Sequence, residues 1–490
     1  MSNRRSHIAT FGQDQKGTIL VFWGMALALM LGLVAMSFDL GQVSATQTDM
    51  QSFTDNVALA AAGELDGRPD SITRATTAAA NLIVDSRKFG SGDHTLSGAD
   101  DFTLTFFSTL PASDTAAPTA VTTNPALARF IRVAATEAEV PVAFYRALMV
   151  LRGETLQDIN VQAQSIAGMT QFACDVTPLM FCQPSGWTSA ANKGTMVNLR
   201  SGGNGAAWAP GNFGFLDPSK ALVDSEGPCA GKNGVKLDAC LLAAVGSITQ
   251  CYALNGVDTE PGQKNGIENA IFNVRFDIFQ TILKSEKNNP NYAPAPNVIK
   301  GVVPSNGNAC PNNYDPSPDT VGLPRDDCFN AGGCAGGRFG DGDWSAGYAN
   351  YIATNYGGAD PFFINPALDT RYDLYKAEIA NPQGTSGNAG ILPNGLAESG
   401  LPQCNTAGGA SIGPERRVIV AAAIDCAANN IQGSAVNVPV AEFVEIFLTE
   451  PVAAVSSNTV DIWGEVIGPA DQGSGAGSTG IFRDVVQLYR

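Results

Sequence analysis

The chain has 490 residues, a formal net charge of -17 and a mean hydropathy of +0.01. This length exceeds one typical core and predicts two or more structural units, while the average hydropathy excludes a polytopic membrane protein, which needs several apolar runs of about 20 residues. The acidic excess argues against nucleic acid as a partner, because it would repel the phosphate backbone.

Residues 1–17 form a leader in which Arg4, Arg5 and Lys16 outweigh Asp14. The 21 residues 18–38, "TILVFWGMALALMLGLVAMSF", then carry no Asp, Glu, Lys or Arg. As a helix this run is about 30 Å long, the apolar thickness of a bilayer. A secretory signal has a shorter apolar core, about 7–15 residues, followed by a small-x-small cleavage site. The exit here, Phe38-Asp39-Leu40, offers no such site. Residues 18–38 are therefore predicted to be a retained transmembrane anchor, with a cleaved and secreted product as the alternative. Asp39, Asp49, Asp55, Glu64 and Asp66 follow the run before the first basic residue, Arg68. Basic flanks stay on the cytoplasmic side, so the N-terminus is predicted inside and the bulk of the chain outside.

Residues 39–67 continue as a helical stem. Val43, Thr46, Met50, Phe53, Val57 and Ala60 step by three and four with polar residues between them, the pattern of a one-sided helix. Its apolar stripe is predicted to cover either the chain's own globular part or a partner helix, including self-association through the stem.

The segment "DQKGTILVFWGMALALMLGLVAMSFDLGQVSATQTDMQSFTDNVALAAAGEL" resembles the N-terminal module of the TadE/TadG-like proteins of Flp pilus, or tight-adherence, assembly. The features that carry the likeness are Gly17, the Ala/Leu/Gly-rich span, Asp39 at its exit, the Gln-containing helix, and the run Asp55-Asn56-Val57-Ala58-Leu59-Ala60-Ala61-Ala62. The resemblance implies an inner-membrane anchor, a periplasmic bulk and an assembly or envelope role rather than an enzymatic one. Pilins of this system are cut after a glycine and carry a glutamate five residues later; that position here is Phe22. The departure favours a retained TadG-like anchor over a polymerising subunit. Some larger TadG proteins have a von Willebrand-type metal site with an Asp-x-Ser-x-Ser motif, which this sequence lacks; Asp175-Val176-Thr177-Pro178 does not fit it.

Residues 68–184 read as a small α+β module. "SITRATTAAANLIVDSRK" predicts a second helix, "DFTLTFF" (101–107) and "ARFIRVAATEAEV" (128–140) predict strands, "PVAFYRALMVL" (141–151) predicts a helix with Pro141 in its first turn, and "LQDINVQAQSIAGM" (156–169) returns to strand. Val133, Val140-Pro141, Phe144 and the alternating Val161, Ala163, Ser165 and Ala167 also resemble the family's C-terminal-type module.

Ten cysteines, Cys174, Cys182, Cys229, Cys240, Cys251, Cys310, Cys328, Cys334, Cys404 and Cys426, all follow the apolar run. An even set in Gly/Asn/Pro-rich sequence predicts disulfides in an oxidising compartment. Cys174 and Cys182 are close enough in sequence to close a short loop, and other pairings are equally allowed. Residues 185–413 read as a long loop-rich, disulfide-stabilised insertion, too poor in repeated pattern for an ordinary compact core, with short ordered stretches at 238–249, 265–283 and 370–380. The acidic, Gly-rich stretch 314–344 lacks the EF-hand spacing that would favour calcium and is read as a solvated loop. Residues 414–490 regain strand character at 416–426, 438–450, 459–468 and 480–489. They are predicted to form a sheet with the strands before residue 170, with an independent β domain as the competing layout.

The catalytic options are narrow. The chain has two histidines, His7 and His94, and no Gly-x-Ser-x-Gly, His-Glu-x-x-His or Walker loop. Asp425 and Glu442 are read as loop or strand-surface groups. No catalytic residue, cofactor or metal is assigned. The expected protein is of α+β class: a single-pass inner-membrane anchor, a helical stem and a disulfide-containing periplasmic domain. Its expected role is that of a noncatalytic scaffold for other pilus-assembly or envelope proteins. The alternatives are a membrane-anchored adhesin or glycan-binding protein and, behind it, a cell-wall hydrolase.

Overall fold

The computed structural model describes residues 18–81, 87–89, 94–96, 101–111, 113, 115–154, 159–174, 176–217, 226–245, 251–253, 256–263, 267, 269–297, 300–305, 310, 314–381, 391–392, 398, 400–405, 413–456, 459–470 and 481–489. The basic leader, with its expected cytoplasmic placement, lies outside the described residues. The chain divides into two compact units, one of residues 1–170 with 484–490 and the other of residues 171–483.

In the first unit a single 45-residue helix, α1 (Thr18–Ala62), runs without interruption for about 67 Å. No proline breaks it, and only Gly24, Gly32 and Gly41 weaken it. Its surroundings change at Asp39. From Ile19 to Phe38 its side chains are exposed, save Ala26 and Ala35, which are half-buried. From Asp39 onward one stripe is buried: Thr46, Met50, Thr54, Val57, Ala58 and Ala61.

The stripe packs on the unit's own elements. These are α2 (Ser71–Asn81), the short antiparallel pair β1 (Arg87–Phe89) and β2 (His94–Leu96), then β3 (Phe102–Phe107), β4 (Phe130–Ala135), β5 (Ala138–Val140), α3 (Ala143–Leu151), β6 (Ile159–Val161) and β7 (Gln164–Cys174). β4 lies antiparallel between β3 and β7, with Ile131 opposite both Phe106 and Ala167. Val57 and Ala61 close over Phe102, Ile131, Val133 and Ala167 in one cluster. Met50 closes over Ala138, Val140 and Val161 in a second, where β5 pairs with β6. Of the two coverings expected for the stem, its own globular part is the one seen. α3 begins at Ala143 rather than at Pro141, with Val142 as its N-cap.

In the second unit β8 (Leu179–Cys182), β9 (Met196–Ser201), β10 (Asn212–Leu216), β11 (Cys251–Ala253), β12 (Val257–Pro261), β13 (Val302–Pro304), β14 (Tyr314–Pro316), β15 (Val418–Ile424), β16 (Ala435–Val438), β17 (Glu442–Leu448), β18 (Ala453–Ser456) and β19 (Thr459–Pro469) follow in chain order. The path β10–β8–β15–β17–β19–β9 returns to β10 and closes a small six-stranded barrel. β12 and β16 extend from β10, and β18 from β19. Closure gives these strands partners on both edges, which a lone sheet lacks. At Gly214 a Cβ would stand 2.5 Å from both the Glu260 carbonyl oxygen and the Trp208 ring, so only glycine fits there.

This arrangement differs from the expected layout. Among the described residues, the strands of 418–469 pair with one another and with β8, β9 and β12 of residues 179–261. Only the last strand, β20 (Phe482–Leu488), pairs with β7. The stretch 185–413 also supplies core, with Val197, Leu199, Phe213, Leu241 and Phe272 buried beside Ile446 and Ile462. Its apolar residues come in strands of three to six residues and in short helices such as 234–243 and 270–273, too short to show a clear period, and they acquire a core through distant partners.

The cysteines form five disulfides: Cys174–Cys251, Cys182–Cys426, Cys229–Cys240, Cys310–Cys404 and Cys328–Cys334. Cys174 and Cys182 do not pair with each other. Cys174 ends β7 directly opposite Cys251 of β11. Cys182 ends β8 beside Ile424 of the parallel β15, two residues before Cys426. For these two bonds sheet register, not sequence distance, selects the partners.

Candidate membrane interface

The site is built from the point where α1 leaves its exposed apolar section. Asp39 is 4% exposed, and its Oδ2 accepts the Tyr145 backbone N–H at 2.6 Å. Tyr145 is the third residue of α3, where backbone N–H groups have no partner within the helix. Val142 at the N-cap provides no side-chain hydrogen bond. Asp39 therefore caps α3 from another helix, and its negative charge favours the positive end of the α3 dipole. Beside it the Phe38 and Phe144 rings meet edge to face, with centroids 5.9 Å apart.

Asp39→Ala is expected to loosen the start of α3 by about 0.5–2 kcal/mol. Amide hydrogen exchange in the first turn of α3 would report it, with Asp39→Asn falling between the two. Unchanged exchange in the alanine variant would remove the cap from the account.

Further along the stem, polar side chains fasten α1 to β7. Gln51 Nε2 donates to Ser165 Oγ at 2.9 Å and to Asp55 Oδ1 at 2.9 Å. Ser165 Oγ donates to Asp55 Oδ1 at 2.5 Å and shares a 2.7 Å hydrogen bond with Thr54 Oγ1. Gln47 Nε2 reaches the Gln162 carbonyl oxygen at 3.0 Å. Ser165 is fully buried, so Ser165→Val would leave the Thr54 hydroxyl and the Asp55 carboxylate short of a partner. A loss of about 1–3 kcal/mol is expected, read by denaturant unfolding of the full chain in detergent.

Outside this region a buried polar cluster surrounds Glu378. Glu378, 1% exposed, accepts from Lys300 at 2.7 Å, Asn297 at 2.8 Å and Tyr356 at 2.8 Å, as well as from Tyr351. A carboxylate with four donors around it has no free face for substrate. Burial pushes the Lys300 amine below its ordinary value despite that partner. Asp326 and Trp344, in the stretch read as a solvated loop, are buried, because Asp326 meets Arg371 at 2.5 Å. Glu442, read as a surface group, accepts from the Ser189 backbone N–H and hydroxyl at 2.7 Å each. Asp425 accepts the Ala428 backbone N–H at 2.9 Å and stays in its turn. His7 lies outside the described residues and His94 falls in β2. Among the described residues no group of three or more His, Cys, Asp or Glu is placed to hold a metal ion.

Sequence reading marked Asp39 only as the residue at the exit of the span; its capping role depends on a residue 106 positions away. Gln47 and Gln51 were legible as polar positions between stripe residues, but not as ties to a strand.

By length and composition α1 is able to cross a membrane: an 18-residue window has a mean hydropathy of 2.5 and is 0% buried. The buried core helix of a soluble protein would have that window covered. The chain thus has the construction of a membrane-anchored envelope protein with a disulfide-containing α+β domain. No curated protein and no solved structure matches the chain. Residues 17–64 match the family described as Flp pilus-assembly TadE/G-like, so the likeness covers the apolar helix and its stem.

Proposed function

We propose that the protein is a noncatalytic, membrane-anchored component of Flp pilus assembly. In this reading it holds a disulfide-bonded domain on the periplasmic side of the inner membrane as a scaffold for other assembly or envelope proteins. The observation that carries the reading is the coincidence of the family match with one continuous helix. That helix is apolar and exposed as far as Phe38, and fastened beneath its own domain from Asp39 onward. Such a helix transmits the position of the bilayer to the folded unit without a flexible linker. The basic leader and the acidic residues after the span support an N-terminus on the cytoplasmic side, and five disulfides support an oxidising compartment for the bulk.

Two measurements test it. Protease added to intact spheroplasts is expected to digest the large domain while leaving a fragment of residues 1–38 protected. Affinity capture of the full chain from solubilised membranes is expected to recover pilus-assembly components. Resistance of the domain to the protease would overturn the orientation. Capture without assembly components, together with loss of surface binding in cells that still assemble pili, would replace the scaffold with an adhesin.

A further inference from the structure

We infer that α3 is a second membrane element, lying in the leaflet nearest the folded unit with acyl chains filling the groove between it and α1. This deepens the anchoring reading and rests on it.

α3, "AFYRALMVL", contains one charged residue, Arg146. Its apolar side chains are not in the unit's core: Phe144 and Leu148 are 50% exposed and Val150 is 71% exposed. A helix apolar on nearly all sides and left uncovered is suited to lipid rather than water. What covers it follows from continuity with the anchor. α3 and α1 line a common groove of about 1410 Å³ that runs along α1 from Leu29 to Val43, with Leu148, Ala147 and Phe144 on the other wall. Leu29 lies nine residues inside Phe38 in the uncharged run, about 14 Å along the helix axis. If Leu29 is in hydrocarbon, the groove it shares with α3 opens to hydrocarbon as well. Aqueous solvent there would be in contact with the anchor at membrane depth.

The few polar groups fit that placement. Asp39 Oδ2 accepts the Tyr145 N–H at the upper end of the groove, the level at which the span ends, while its buried Oδ1 has no hydrogen-bond partner. Tyr145, 39% exposed, has the amphipathic ring favoured at the headgroup boundary. Arg146 and Arg152, 56% and 63% exposed at their side chains, lie 3.9 Å from Glu139 and 3.2 Å from Glu154, with stems long enough to bring these charged groups to the headgroup level. The Asp39 cap and the contact of Phe38 with Phe144 then fix the depth of α3 against the anchor, so that the first unit meets the bilayer through two helices.

The test uses the full chain in phospholipid vesicles, with benzoylphenylalanine at one position at a time: Leu33→benzoylphenylalanine in the span, Leu148→benzoylphenylalanine on α3, and Val121→benzoylphenylalanine as a 61% exposed position of the first unit away from the groove. After irradiation, phospholipid adducts are measured by mass spectrometry. Lipid adducts at Leu33 and Leu148, each at least tenfold above Val121, are the expected result. Adducts at Leu33 with Leu148 no higher than Val121 would overturn the α3 inference and leave the anchor standing. No adducts at either would overturn the anchor too. Protein adducts instead of lipid at Leu148 would mean that a second polypeptide fills the groove, and would also overturn the inference.

Discussion

Replacing Arg371 with alanine is expected to destabilise the second unit by about 3–5 kcal/mol, because it leaves two buried carboxylates without their counter-charge. Arg371 is fully buried, with its Nη2 2.5 Å from Asp326 Oδ1 and its Nη1 2.9 Å from Glu465 Oε1. Two further donors are used: Nε to the Pro324 carbonyl oxygen at 2.5 Å and Nη1 to that of Gly194 at 3.1 Å. The guanidinium plane lies 4.8 Å from the Trp344 ring centre. Lysine has the charge but not the fork, so Arg371→Lys is expected to recover only part of the loss. Urea unfolding of the full chain in detergent, followed by tryptophan fluorescence, would check both. A cost for Arg371→Ala under about 1 kcal/mol would show that the network is not structural.

The same variant has a pH signature. Burial pushes the Glu465 carboxyl above its ordinary value, and Arg371 opposes that shift. Without Arg371 the folded-state value rises further above the unfolded one, so the folded state binds more protons between the two. The contribution of Glu465 to the variant's stability is then fully present below the unfolded value of about 4.3 and is lost as pH rises through the folded value. The penalty relative to the native protein is expected to be smaller near pH 4.5 than at pH 8. A penalty independent of pH would exclude Glu465 as its source.

Removing the disulfide between Cys182 and Cys426 is expected to have an effect of similar size. The two residues are 244 positions apart, and closing a loop of that size lowers unfolded-chain entropy by about 5 kcal/mol on the loop-closure argument. The bond between Cys328 and Cys334 spans 6 positions, and the same argument gives about 2 kcal/mol. Cys182→Ala with Cys426→Ala should therefore lower the denaturant midpoint well beyond Cys328→Ala with Cys334→Ala. The position of the long bond reinforces this order. Cys182 is fully buried at the end of β8, and β8 pairs with both β10 and β15 in the barrel. Equal losses for the two pairs would show that native packing, rather than chain entropy, governs these bonds.

The parts of this protein that were legible from sequence are those whose pattern is local. The uncharged run 18–38 and the stripe of Met50, Phe53 and Val57 repeat at short intervals, so they announce a helix and the place where its surroundings change. "FIRVAA" and "EFVEIFL" are rich in β-branched and aromatic residues and form β4 and β17. The cysteines announced oxidation by their number and setting. Residues 185–413 were misjudged because MVNLRS and NFGFL, or residues 196–201 and 212–216, are short pieces between glycines and turns. Each buries its side chains only when strands more than two hundred residues away close the barrel around it.

The amino-acid sequence by itself determined the membrane-length helix, its continuation as a one-sided stem, the acidic cysteine-rich bulk and most of the terminal strands, since each depends on neighbours within a few turns or pleats. Only the tertiary structure decided which cysteines join, how six strands close into a ring, that Arg371 sits between Asp326 and Glu465, and that Asp39 caps a helix beginning at Ala143. Those outcomes depend on register and on charges brought together across the chain. Spacing along a polypeptide records which residues can form an element, but the burial of polar and apolar groups against distant partners selects which elements meet.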